Sequence, residues 1–288
     1  MEPILEVNNL KKDFQDFSLK GISFSLQRGY IMGFIGPNGA GKSTTIKLIL
    51  NLLKRDDGEI KVFGLDNLQN EKEIKNRIGF VLSENNFYDE LTVAETRRII
   101  APIYRDWDQN VFQQYLSDFA LPANKKVGEL SGGMKMKLSL AFALSHHAEL
   151  LILDEPTSGL DPIVRSELLE ILSTIIQDEQ KSVFFSTHIT SDLDKNADYI
   201  TFINDGELVL SSPKDDLIEN YGLVRGAKEL LTDEARDYFI GVKENKFGFE
   251  GLVEDKHFAE EFFDGRVVIE KPGLEEIMIY FTRGNGCA

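Results

Sequence analysis

The chain has 288 residues, 42% hydrophobic and 28% charged, enough for one large globular domain and a smaller one. A formal net charge of −16 argues against general nucleic-acid binding, which needs a basic face. The single cysteine, Cys287, rules out an internal disulfide framework and points to a reducing, cytosolic setting. No signal peptide is visible at Met1-Glu2-Pro3, and no run approaches the ~18 apolar residues of a membrane helix.

Residues 4–7 and 22–26 read as short strands, with Phe14 between them. Residues 30–35 are apolar enough for a buried strand, and 44–50 have helical character. Between them stands Gly36-Pro37-Asn38-Gly39-Ala40-Gly41-Lys42-Ser43, which fits the phosphate-cradling pattern G-x-x-x-x-G-K-[ST] at every fixed position. The glycines let successive N–H groups turn toward one anion, and the following helix, entered through Thr44, adds its positive dipole end. Lys42 can reach the β- and γ-phosphates of a nucleotide, and the Ser43 hydroxyl can ligate Mg²⁺.

A strand at 59–63, a helix at 70–76 and a buried strand at 77–82 follow. From about residue 90 to 147 the pattern turns helical, an all-α insertion in an α/β core. Thr92 is placed to cap a helix with Glu95 as its capping-box partner. His146 and His147 read as solvated residues at a helix end. Residues 150–153 are a continuous apolar run ending in Asp154-Glu155, as in a parallel strand covered on both faces. A helix at 162–179 starts on Pro162. A buried strand at 182–186 and two strands around Asn204-Asp205-Gly206, a hairpin turn, complete this part. From Pro213 the texture becomes mixed α+β, carries no chemical motif, and ends in a helix at 274–281.

An acid at the C-terminal end of a buried parallel strand lies at the usual ligand position of an open α/β sheet. Asp154 can therefore hold Mg²⁺, and Glu155 can polarise a water for in-line attack on a γ-phosphate. A third signal is Leu130-Ser131-Gly132-Gly133-Met134 at the start of a helix, a second candidate anion site. With these motifs the sequence resembles the ATP-binding subunits of ABC transporters, bacterial exporters being the nearer type. The family signature ends in Gln where Met134 stands. Ser158-Gly159-Leu160-Asp161 resembles the loop that crosses the dimer interface. His188, in Ser186-Thr187-His188, resembles the switch histidine at the γ-phosphate, and Phe14 matches the aromatic position that stacks on adenine.

One position departs from the family. Its metal-sensing glutamine falls here on Ser83 or Glu84, either of which offers an oxygen.

The resemblance covers residues 1–212. It implies a P-loop NTPase (RecA-like) α/β core with an antiparallel β subdomain and a helical subdomain at about 84–147. Residues 213–288 form a small α+β extension. It further implies ATP and Mg²⁺ as ligands and a second ATP-binding subunit, in a homodimer or a heterodimer. Transmembrane permease subunits would hold the cytoplasmic protein at the inner face of the membrane. Two other classes fit the motifs: a regulatory ABC ATPase with weak turnover, and a soluble ABC-type ATPase outside transport. The acidic single cassette disfavours a ribosomal or DNA role.

Overall fold

A computed structural model describes residues 2–83 and 87–284. Glu84 and Cys287, singled out above, lie outside the described residues. The chain divides into two compact units between Leu208 and Val209, just inside the strand that follows the Asp205-Gly206 turn.

The first unit opens with β1 (Pro3–Asp13) and β2 (Ser18–Gln27). Both are longer than the short strands expected, because they pair antiparallel along their whole length through register shifts. At one shift Asn9 takes φ +47°, and its N–H donates to Ser23 Oγ at 2.8 Å. β3 (Ile31–Ile35) feeds the phosphate loop and α1 (Lys42–Ile49) leaves it. Next come β4 (Asp57–Val62), β5 (Leu65–Asp66), α2 (Glu71–Arg77) and β6 (Ile78–Val81). The helical block holds α3 (Val93–Ile100), α4 (Gln109–Asp118) and α5 (Gly132–Leu144). Then follow β7 (Leu150–Asp154), α6 (Pro162–Ile175), β8 (Ser182–Thr187), α7 (Thr190–Asn196), β9 (Tyr199–Asn204) and β10 (Glu207–Pro213).

Two sheets carry this unit. One is antiparallel, in the order β2-β1-β4-β5; the other has the order β10-β9-β3-β8-β7-β6. From β9 to β6 the second sheet is parallel, and β3, β7 and β8 are buried at every position. That burial explains why these segments read as unbroken apolar runs rather than alternating ones. Phe24 of β2 stacks on Phe34 and Phe184 at ring-centroid distances of 5.5 and 5.6 Å, joining the two sheets in one core. The helical block has a separate core around Val93, Phe112, Leu138 and Phe142. Its α3 starts on the expected capping box. Glu95 N–H donates to Thr92 Oγ1 at 3.2 Å, and Thr92 N–H donates to Glu95 Oε2 at 2.9 Å.

His146 corrects the sequence reading. Instead of facing solvent it is 1% exposed, stacked on Tyr104 at 3.8 Å. Its Nε2 lies 3.0 Å from the Ile78 carbonyl and its Nδ1 3.3 Å from that of Phe142. Burial holds its pKa below the ordinary value. His147 is exposed and ends the helical block with φ +58°. Beyond the Ser145 end of α5 the chain thus turns one histidine inward and the next out.

The second unit contains α8 (Lys214–Asn220), β11 (Gly222–Gly226), α9 (Asp233–Arg236), β12 (Phe239–Glu244), β13 (Phe249–Val253), α10 (Lys256–Phe263), β14 (Val268–Glu270) and α11 (Leu274–Gly284). Its sheet has the order β12-β13-β11-β14, with antiparallel pairing throughout. From β11 to β14 the succession is β-α-β-β-α-β, a ferredoxin-like arrangement. Val224, Phe249, Val253 and Phe263 form its core. Tyr280 on α11 donates to Glu250 Oε1 at 2.8 Å.

Candidate active site

The phosphate loop closes on itself through Lys42, which is 5% exposed. Its Nζ donates to the carbonyls of Gly36 at 2.8 Å and Pro37 at 3.2 Å, and lies 3.1 Å from Glu155 Oε1. The Ala40 N–H bonds back to the Pro37 carbonyl at 3.2 Å. Gly41 caps α1 at φ +111°, and a Cβ there would sit 2.8 Å from both Leu19 Cδ2 and Phe17 Cζ. Neither the angle nor the space admits a side chain.

The end of β7 brings the acids to the loop. Asp154 is 1% exposed. Its Oδ1 accepts from Ser186 Oγ at 2.6 Å and Ser43 Oγ at 3.1 Å, and Ser83 Oγ is 3.5 Å from its Oδ2. Glu155 follows at φ +49°, a left-handed conformation that costs a non-glycine residue about 1–3 kcal/mol. Its N–H offsets that cost by donating to Ser186 Oγ at 2.9 Å and the Ser186 carbonyl at 3.2 Å. The kink turns the side chain toward Lys42 and His188, and His188 Nδ1 lies 2.7 Å from Glu155 Oε2.

These groups open onto a cleft of about 500 Å³ lined by Phe17, Asn38, Gly39, Lys42 to Thr44, Ser83, Glu155, Ser158 and His188, among others. Phe14 is 43% exposed, with its ring centroid 6.4 Å from that of Phe17. Phe17, not Phe14, lines the cleft. Ser131, Gly132 and Gly133 do not line it. Ser131 caps α5 by accepting from the Met134 N–H at 3.3 Å, and a Cβ on Gly133 would meet Val164 Cγ1 at 2.7 Å. Asp161 caps α6, accepting from the N–H groups of Ile163 and Val164 at 3.0 and 3.1 Å.

The donor set suits a hard cation shared with a substrate. Among the described residues no group of three or more His, Cys, Asp or Glu is placed to hold a metal ion. Mg²⁺ keeps several waters and takes one or two protein ligands beside phosphate oxygens, and the Ser43 hydroxyl beside the Asp154 carboxylate offers that. Sequence reasoning missed Phe17, Ser186 as the brace of both acids, and Asp192. Asp192 is fully buried and hydrogen-bonded to Thr157 and Thr187.

A phosphate loop at the end of a parallel strand, with an acid pair on the strand beyond, defines a P-loop ATPase of the α/β class. The ABC transporter family model matches residues 19–158. Bacitracin transport ATP-binding protein BcrA of Bacillus licheniformis is 37% identical over 220 residues, covering 75% of this chain and 72% of that protein. The chain belongs to this family, as an ATP-binding and hydrolysing subunit. A fluoroquinolones export ATP-binding protein of Mycobacterium tuberculosis is 33% identical over 243 residues, 84% of this chain and 78% of that one. Among solved structures, an ATP-binding subunit of an ABC transporter matches with a TM-score of 0.66 at 28% identity, covering 75% of this chain and 92% of that chain. A dimeric cassette bound to ADP and Pi matches in fold at 0.65 and 24% identity, covering 73% and 98%.

Proposed function

We propose that two ATP-binding subunits pair head to tail and hydrolyse ATP at their interface, to drive export through a separate permease. The observation that carries this is the gathering of five polar side chains at one cleft, with the Ser131-Gly132-Gly133 helix start outside it. Lys42, Ser43, Asp154, Glu155 and His188 converge, while Ser131-Gly132-Gly133 does not reach them within one chain. A helix cap that serves a nucleotide must then meet one held by a partner.

In this reading the phosphate-loop amides and Lys42 hold the β- and γ-phosphates. Phe17, with Phe14 beside it, offers the aromatic face for the base. Ser43 and Asp154 would hold Mg²⁺, which would supply neutralisation of phosphate charge, and Ser83 or Glu84 would offer a further oxygen. Glu155 takes a proton from the water that attacks the γ-phosphorus, and ADP leaves with the bonding electron pair. His188 holds the Glu155 carboxylate on one side and faces the γ-phosphate on the other. Asp161 lies on the loop that meets the partner.

A groove of about 840 Å³ between α2 and residues 102–106, with Ile103 69% exposed, supports a permease contact. Among the described residues no helix is long and apolar enough to cross a membrane. A cytoplasmic subunit held at the membrane by its permease accords with that. The similar proteins carry names of bacitracin transport and fluoroquinolone export, which supports a peptide, antibiotic or other small amphiphile as cargo.

The test is ATPase rate against protein concentration, with size exclusion in Mg²⁺-ATP. A specific activity that rises with concentration, alongside a dimer peak, supports the paired site. A specific activity independent of concentration in a monomer refutes it.

A further inference from the structure

Asp192 sits on α7 and does not line the cleft, yet it is fully buried. Three donors converge on its two oxygens. Arg165 Nε donates to Oδ1 at 2.5 Å, and the hydroxyls of Thr157 and Thr187 donate to Oδ2 at 2.6 and 3.2 Å. Those donors come from different elements. Thr157 lies two residues beyond Glu155, Thr187 is the last residue of β8, and Arg165 is on the first turns of α6 behind Asp161. The Thr187 hydroxyl also accepts from the Ile189 N–H at 3.0 Å. One hydroxyl therefore holds the residues on both sides of His188, and one carboxylate holds that hydroxyl. Arg165 reaches on to Ser191 Oγ at 2.7 Å, closing the cluster.

A buried carboxylate is costly unless paired, and apolar packing would seal this junction more simply. What apolar packing lacks is direction. Hydrogen bonds to two fixed oxygens allow one relative placement of the two loops, where packed methyl groups allow several. The two threonines it holds lie close, along the chain, to the residues of the 2.7 Å contact between His188 Nδ1 and Glu155 Oε2.

We propose that Asp192 is a positioning residue for hydrolysis, fixing His188 against Glu155 by joining the loop after β8 to the loop after β7. The inference rests on the reading of Glu155 and His188 given above. It adds that the two loops move as one, so that whatever displaces Asp161 and its neighbours also displaces His188.

The experiment is a double-mutant cycle on the full chain: wild type, Asp192→Asn, His188→Ala and the pair. Radiolabelled phosphate release follows even slow variants. Misplacement of a reacting group by an ångström costs up to about a hundredfold. Asp192→Asn should therefore lower kcat about tenfold or more, with the KM for ATP within about twofold of wild type. In the His188→Ala background the same change should lower kcat by less than about twofold, because its target is gone. An equal loss in both backgrounds makes Asp192 a general brace and overturns the inference. So does a wild-type kcat in Asp192→Asn. If His188→Ala alone keeps the wild-type rate, the reading of His188 fails, and this inference with it. Should Asp192→Asn not fold, Thr187→Val cuts the same link with an isosteric residue suited to a strand, and the cycle is judged by the same factors.

Discussion

Glu155 and Lys42 form an ion pair at 3.1 Å, with side chains only 14% and 5% exposed. The carboxylate that would act as base therefore occupies the ammonium that would hold phosphate. A nucleotide must displace it before Lys42 is free. Glu155→Gln keeps the size of the side chain and removes its charge. A charge-assisted hydrogen bond is worth about 1.5–3 kcal/mol. Each 1.4 kcal/mol is tenfold in affinity, so removing this competitor should tighten nucleotide binding by about tenfold to a hundredfold. Loss of the general base should slow turnover by about 10²–10⁴. Relief of repulsion between Glu155 and the γ-phosphate would also tighten ATP, but not ADP. ADP is therefore the informative ligand. The assay is isothermal titration of wild type and Glu155→Gln with ADP and ATP in Mg²⁺. An ADP affinity unchanged by the substitution would refute the competition between Glu155 and phosphate for Lys42.

Two further predictions follow from packing and charge. Gly133→Ala places a methyl group against the stiff Val164 side chain, and overpacking of this kind costs about 1–3 kcal/mol. The denaturation midpoint should drop, and adding Val164→Ala should restore it; a double variant no better than the single one would remove Val164 as the cause. Burial makes His146 harder to protonate in the folded chain than in the unfolded one, so the unfolded state binds the extra proton. Stability should then fall as pH drops through the unfolded value of about 6.5, and His146→Gln should escape that part of the loss. Urea midpoints of the two proteins should lie closer together at about pH 5.5 than at about pH 7.5.

The parts of the site legible in the sequence are those whose chemistry is local. The phosphate loop needs glycines at fixed offsets, and its grouping from Gly36 to Ser43 is contiguous. Asp154-Glu155 announced itself because an apolar run ended in acids. Thr92 and Glu95 formed the capping box that their spacing implied. What the sequence hid depends on pairing across the fold. Ser186 supports both acids only because parallel register sets it opposite Asp154. In a strand buried on both faces, no alternation marks which way Ser186 points. Asp192 carries no local mark of its role, since two of its three donors lie 27 and 35 positions back in the chain. Phe17 escaped notice beside Phe14 because both are aromatic and only the course of the loop decides which one faces the cleft. His146 was misread for the same reason. Both histidines lie beyond the end of α5, where His147 turns to φ +58°, and nothing local says which one meets Tyr104.

The strand order has a consequence for the birth of the protein. β3 is made early, yet both of its sheet neighbours, β8 and β9, are encoded about 150 residues later. At elongation rates of roughly 5–20 residues per second, the strand carrying the phosphate loop waits for roughly 10 to 30 seconds on the ribosome without a partner. Through that interval Ile31, Met32, Phe34 and Ile35, each fully buried at the end, lack the two strands that flank them in the sheet. Nascent chains released short of residue 187 would carry an intact phosphate-binding motif and an open apolar edge. They would be substrates for chaperones rather than for nucleotide.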